Sequence, residues 1–340
     1  MTSRVLILLI VVALWAAPSA RAADNISVGD VVIDPPTVCC LGFSVPIVTG
    51  DDDYDATGII EYRQVGSTSW SRGLDLLRVR PEYTSTESTP GYYGLPVPAE
   101  QFAGSLFGLN PGTSYEVRIS ITDPDGGDRV QIVEATTREL PLTNPAVPRV
   151  VAVSTDAELG NPNAAEQPGD VIELATGTYD GPITIDASGT LSNPIIVRGE
   201  AADAVTIDAA GGTYGVTIWG SHVYLEDVTV SGSTWGARSY NTDGIVIQRS
   251  RFINVERGIY AKSGSNYNFY ICDNVLEGKH AWPNISSSTW NDEGITVSGQ
   301  GHTVCHNTLS GFGDALGLAN STAIMNLAID FYGNDVVWTG

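Results

Sequence analysis

Residues 258–278, GIYAKSGSNYNFYICDNVLEG, read as one coil of a solenoid. GIYA is a short alternating strand, KSGSN a turn and NFYI a second strand; Asn274 then turns the chain and Leu276 points back inside. The same grammar recurs on both sides. Val223-x-Leu225-x-x-Val228-x-Val230 has the spacing of Ile245-x-Ile247-x-x-Ser250-x-Phe252 and of Phe269-x-Ile271-x-x-Asn274-x-Leu276. It has the spacing, too, of His302-x-Val304-x-x-Asn307-x-Leu309 and of Ile329-x-Phe331-x-x-Asn334-x-Val336. Self-similarity with a step of roughly 22 to 33 residues signals a repeat architecture. Apolar residues at i and i+2, then a small residue or Asn, then another apolar residue suit short strands around a filled interior. Asn suits the turn because it tolerates left-handed backbone and its amide can hydrogen-bond to the next coil.

This pattern resembles the right-handed parallel β-helix of pectate-lyase-like (pectin lyase-like) proteins, from about Pro148 onward. The resemblance implies the fold more sharply than the function, because that fold carries lyases, hydrolases, epimerases, phage tailspikes and adhesins. The stretch from Pro168 to Tyr179, PGDVIELATGTY, followed by GPITI and NPIIVRG, resembles the opening coils of exported polysaccharide lyases of the alginate-lyase and chondroitinase-B type. These residues make turns and fill the core; they carry no chemistry. The polar, Ala-rich segment 154–167 stands where a β-helix needs an N-terminal cap, and its Gly and Pro argue against a long helix there.

Residues 1–22 read as a secretory signal: Arg4 is the basic start, residues 5–14 are apolar, and Ala20-Arg21-Ala22 is a small-x-small cleavage site. The protein is therefore expected to be secreted or periplasmic. Residues 23–140 read as an antiparallel β-sandwich, with strands expected near 37–48, 57–64, 102–109, 115–122 and 130–137. Within it, LNPGTSYEVR (109–118) resembles the tyrosine corner of fibronectin type III domains, which implies that Tyr115 hydrogen-bonds back to the corner backbone and that Trp70 covers one sheet. Residues 141–150 form a Pro-rich linker, and 151–340 the solenoid. The fold class is thus all-β, a fibronectin type III-like sandwich followed by a right-handed parallel β-helix. The solenoid ends at Gly340 directly after a coil with no capping segment, so a longer gene is expected.

The formal charge of −22 speaks against nucleic acid as a partner. No stretch beyond the signal is apolar enough to span a bilayer, and a monomer acting on a polysaccharide is expected. Four Cys in an exported chain permit disulfides. Cys272 and Cys305 each precede a turn Asn by two residues, so stacked coils bring them within disulfide range, with two stacked thiols as the other reading. The adjacent Cys39 and Cys40 read as free thiols, and no CxxC spacing points to a metal. Asp51, Asp52 and Asp53 read as a solvated loop, with a calcium loop as the other reading.

Chemistry is expected between Trp235 and Asp335. Glu256, Asp292, Glu293 and Asp314 precede equivalent strands, so they are expected to line up on one face and could share Ca²⁺; solvated turn acids are the other reading. Lys262-Ser263-Gly264-Ser265-Asn266 resembles the Lys-Ser-x-x-Asn of the alginate-lyase type. That resemblance implies Lys262 as base on the uronate C5 proton, a calcium on the carboxylate, and an assisting arginine, a role open to Arg251 or Arg257. The family's Arg-His-Gly is absent; Gly299-Gln300-Gly301-His302 occupies that region. The longest coil carries the insert KHAWPNISSSTW (279–290), whose His280, Trp282 and Trp290 could form a sugar-stacking wall or simply pack the loop; Trp235 and Tyr240 could extend the same face. The resulting expectation is an exported lyase on uronate-containing glycans, with a non-catalytic glycan-binding or adhesion protein as the alternative.

Overall fold

The computed structural model describes residues 24–81, 99–159, 166–262, 264–280, 292–319 and 327–337. The signal segment, Trp282, Trp290 and Gly340 lie outside these residues.

Two antiparallel sheets come first. One contains Leu41–Thr49 and Gln101–Leu106 with shorter edge strands; the other contains Thr57–Gln64, Ser114–Thr122 and Arg129–Thr136. Strict alternation explains why they pack face to face. Tyr115, Val117, Ile119 and Ile121 are buried, while Glu116, Arg118 and Ser120 between them are partly exposed. The Tyr115 hydroxyl accepts a hydrogen bond from Asn110 N at 3.0 Å. Trp70 lies beneath the guanidinium groups of Arg63 and Arg118, 4.5 and 4.4 Å from their central carbons.

The remainder is a parallel β-solenoid with three strands to most coils. In the first stack, among the described residues, eight strands pair in parallel from Arg149–Val153 to Leu327–Tyr332. The second stack includes Arg251–Val255, Val275–Gly278 and Thr308–Ser310; the third includes Arg257–Ala261, Glu293–Val297 and Asp314–Leu318. The strands Val205–Ile218 and Thr229–Ser239 run through both. The periodic core positions fall in register. Leu225, Ile247, Ile271, Val304 and Phe331 pair successively in the first stack. Val230, Phe252, Leu276, Leu309 and Val336 do so in the second. Phe252, Leu276 and Leu309 are fully buried, each contributing about 1.5–3 kcal/mol of apolar transfer.

Two local devices hold the coils. The first is an amide ladder: Asn274 N and Nδ2 both donate to Asn307 Oδ1, and Asn307 N and Nδ2 both donate to Asn334 Oδ1, all at 2.9–3.0 Å. The expectation that Asn itself supplies the left-handed backbone is corrected. Positive φ falls one residue earlier, at Asp227, Arg249, Asp273, His306 and Gly333, which frees the ladder side chain to point inward and bond upward. The second is a glycine row. A Cβ at Gly258 would meet Leu276 Cδ2 at 2.3 Å and Gly294 O at 2.4 Å, and one at Gly236 would meet Phe252 at 2.5 Å. The glycine of GIYA thus lets second-stack core side chains pass under the start of each third-stack strand.

Cys272 and Cys305 are register partners in the first stack and are joined by a disulfide. Its Cα atoms are 4.6 Å apart. The N-terminal sheets contact the solenoid through Arg138, which donates to Asn268 Oδ1 at 3.0 Å, Gly301 O at 2.6 Å and Phe269 O at 3.3 Å. Burial lowers its pKa to about 10, so it stays charged at neutral pH. The cap segment holds one short helix, Asp156–Leu159.

Candidate functional site

The outer side of the third stack gathers aromatic rings and cations. Its central outward row runs Thr217, Arg238, Tyr260, Thr296 and Gly317. At the start of the same strands Tyr214 pairs with Trp235, Trp235 with Arg257, and Glu293 with Asp314. Trp219, Tyr240 and Lys262 immediately follow the strands. Parallel pairing brings equivalent residues of successive coils into contact. Trp235 and Tyr260 have ring centroids 4.4 Å apart, Tyr214 and Trp235 5.3 Å, and Trp219 and Tyr240 stack at 5.6 Å.

The cations are seated on these rings. The Arg238 guanidinium carbon lies 3.4 Å above Tyr214 and 5.2 Å from Trp219, and its Nε donates to Thr217 Oγ1 at 3.1 Å. Arg257 lies 4.7 Å from Trp235 and 4.8 Å from Tyr260. Such contacts hold the flat guanidinium groups against the rings. Lys262 Nζ is 3.9 Å from Glu293 Oε1, and Thr296 Oγ1 donates to Glu293 Oε2 at 2.7 Å. Desolvation raises the Tyr260 pKa, opposed by Arg257 and supported by Glu293.

The expected site residues divide. Lys262, Arg257, Glu293 and Asp314 share the third-stack face. Arg251 does not join them: it lies on the second stack, 3.8 Å from Glu277, because its coil turns a corner between it and Arg257. Glu256 faces Lys279 at 3.5 Å, and the Asp292 carboxylate contacts His280 Nε2. Burial raises the Asp292 pKa, with His280 opposing and Glu256 adding to the rise. Asp292 and Glu293, adjacent in sequence, engage different partners: Glu293 faces Lys262, Glu256 faces Lys279, and Asp292 contacts His280. Among the described residues, three-ligand groups occur at Cys39, Cys40 and Asp330 and at Asp51, Asp53 and Asp55, neither of which includes those acids. The residues that the sequence reading missed here are Tyr214, Trp219, Arg238 and Tyr260. Aligning the third-stack strands, rather than only the first and second, would have shown that Tyr214 superposes on Trp235 and Arg257, Trp219 on Tyr240, and Arg238 on Tyr260.

No family model matches the chain, and no curated protein matches it. Among solved structures, a variant of the catalytic domain of a GH87 α-1,3-glucanase in complex with tetrasaccharides aligns at 15% identity with a TM-score of 0.30, covering 91% of this chain and 60% of that one. The same type of domain in complex with nigerose aligns at 13% identity with a TM-score of 0.26, covering 91% and 66%. The chain thus spans less than two thirds of the length of these structures. A likeness at this level carries no argument about substrate or catalytic residues. The fold defines an all-β chain built on a parallel β-solenoid.

Proposed function

We propose that this is an exported, carbohydrate-active solenoid that holds an anionic polysaccharide along the outer side of the third stack. The observation that carries the reading is the ladder of Tyr214, Trp235 and Tyr260 interleaved with Arg238 and Arg257. Flat rings suit the apolar faces of pyranose units, and guanidinium groups match carboxylates two-pronged. A repeating ligand suits a repeating surface, because successive coils offer equivalent positions about 4.8 Å apart. The acidic chain as a whole would repel such a ligand, so the local cations on this face decide where it lies. The N-terminal sheets, as a fibronectin type III-like module, serve as a spacer in this reading.

A second reading, β-elimination on a uronate, is favoured by Arg257, Tyr260 and Lys262 lying within one short stretch of the face. Elimination needs the carboxylate charge neutralised, a base for the C5 proton and a donor for the leaving oxygen. Arg257 supplies the charge. Lys262 is the base on the C5 proton. Tyr260, held protonated by burial, is the donor. The test is the ultraviolet absorbance of newly formed unsaturated uronate on alginate, pectate and chondroitin, with calcium and with chelator. A rise abolished by Lys262→Ala supports elimination. Binding without any rise on the three substrates refutes elimination and leaves the binding reading standing.

A further inference from the structure

Away from this face, the junction between the N-terminal sheets and the solenoid holds a cluster that neither reading uses. Cys39 and Cys40 are free thiols, the first partly exposed and the second buried. Neighbours on a straight strand face opposite ways. Here a bend before the strand Leu41–Thr49 turns both side chains to one side, and Cys39 Sγ lies 3.8 Å from Cys40 Sγ. Asp330, on the last first-stack strand, brings Oδ2 to 3.7 Å from Cys39 Sγ. One ligand atom from each of the three residues lies within 4.8 Å of the other two.

Those spacings have a chemical meaning. A tetrahedral zinc with Zn–S about 2.3 Å and Zn–O about 2.0–2.2 Å sets S···S edges of about 3.8 Å and S···O edges of about 3.5–3.7 Å. The carboxylate is also oriented from outside the cluster: Thr37 Oγ1 donates to Asp330 Oδ2, and Cys40 N donates to Thr37 Oγ1 at 3.0 Å. Among the described residues no Lys, Arg or His nitrogen pairs with Asp330 at salt-bridge distance. Thr303, its register partner one coil earlier, buries Oγ1 without a hydrogen-bond partner. A cavity of about 240 Å³ lined by Thr37, Cys40, Asp34 and Asp330 gives an ion and a fourth, water ligand room to enter.

We propose that Cys39, Cys40 and Asp330 form a site for a borderline-soft divalent cation of the zinc class, joining the N-terminal sheets to the solenoid. Binding replaces two S–H bonds by two metal–thiolate bonds, and the two protons pass to the buffer. No oxidant or reductant is involved.

The probe is Co²⁺ added to the reduced, metal-stripped full chain, followed by competition with Zn²⁺. The site predicts one Co²⁺ per chain with a thiolate-to-cobalt charge-transfer band that Zn²⁺ abolishes. Cys40→Ser should remove the band, and Asp330→Asn should weaken binding at least tenfold. Asp53→Asn, in the exposed acidic group, should change neither. Circular dichroism reports folding, and if Cys40→Ser fails to fold, Asp330→Asn decides. A band that persists in Cys40→Ser, tenfold-unchanged affinity in folded Asp330→Asn, or two reactive thiols with no cobalt band would each overturn the proposal.

Discussion

Asn307→Ala tests whether the amide ladder holds the coils in register. In the wild type, Asn307 Oδ1 accepts from Asn274 N and Nδ2, while its Nδ2 donates to Ile271 O and Asn334 Oδ1. Asn307 is 1% exposed, so water cannot replace these partners. Truncation orphans the buried donor Asn274 N, costing about 1–3 kcal/mol, and removes the amide's own bonds to Ile271 O and Asn334 Oδ1, about 1 kcal/mol each. Together with the small void, the expected loss is about 3–5 kcal/mol. Asn307→Ser should cost about half as much, because Ser250 already occupies the equivalent turn and accepts from Val228 N at 3.4 Å. Urea unfolding followed by far-ultraviolet circular dichroism reads both variants. A loss below about 1 kcal/mol for Asn307→Ala, or no difference between Ala and Ser, would refute the ladder's role.

Three further outcomes follow from the same geometry. His302 is buried, with Nδ1 accepting from Phe269 N at 3.1 Å and Nε2 placed to donate to Ser298 O at 3.2 Å, so a second proton has no acceptor. Its pKa is lowered from 6.5 to about 4, chiefly by burial. A depressed folded pKa means the contribution is whole above pH 6.5 and is lost as pH falls toward 4, about 3 kcal/mol in all. His302→Gln should flatten that part of the stability profile, and an unchanged slope would count against the buried neutral ring. Cys272→Ser should lower stability by about 3–4 kcal/mol, as expected for a link closing a loop of this length; equal unfolding midpoints for both forms would contradict the bond's contribution. Gly258→Ala should cost about 2–4 kcal/mol, since its Cβ collides with both a core side chain and backbone, and a neutral result in thermal unfolding would show that the coil can shift.

The solenoid was legible because its first and second stacks repeat apolar positions with one spacing, and every aligned pair from Leu225 to Phe331 and from Val230 to Val336 is a register partner. The role of Asn was legible in part: its amide bonds between coils, but the left-handed residue is the one before it, where Asp, Arg, His and Gly all occur. The proposed glycan face was harder to read. Its residues sit in strands whose lengths differ, so Tyr214, Trp235 and Tyr260 become neighbours only once the third stack is in register. Shared position before a strand did not reveal that Asp292 and Glu293 engage different partners, His280 and Lys262. The dithiol cluster was beyond spacing rules altogether, since its third member, Asp330, is 291 residues from Cys39.

The most direct test of the glycan reading is isothermal titration of the protein with polyuronate oligosaccharides, beside neutral oligosaccharides of equal length. Wild type should bind the acidic series with an affinity that falls as salt rises. Trp235→Ala and Arg238→Ala should each weaken that binding about 5- to 30-fold, the equivalent of about 1–2 kcal/mol for a stacking or cation–anion contact. Acidic oligosaccharides that bind wild type and both variants equally, or bind none of them, would contradict the assignment of this face.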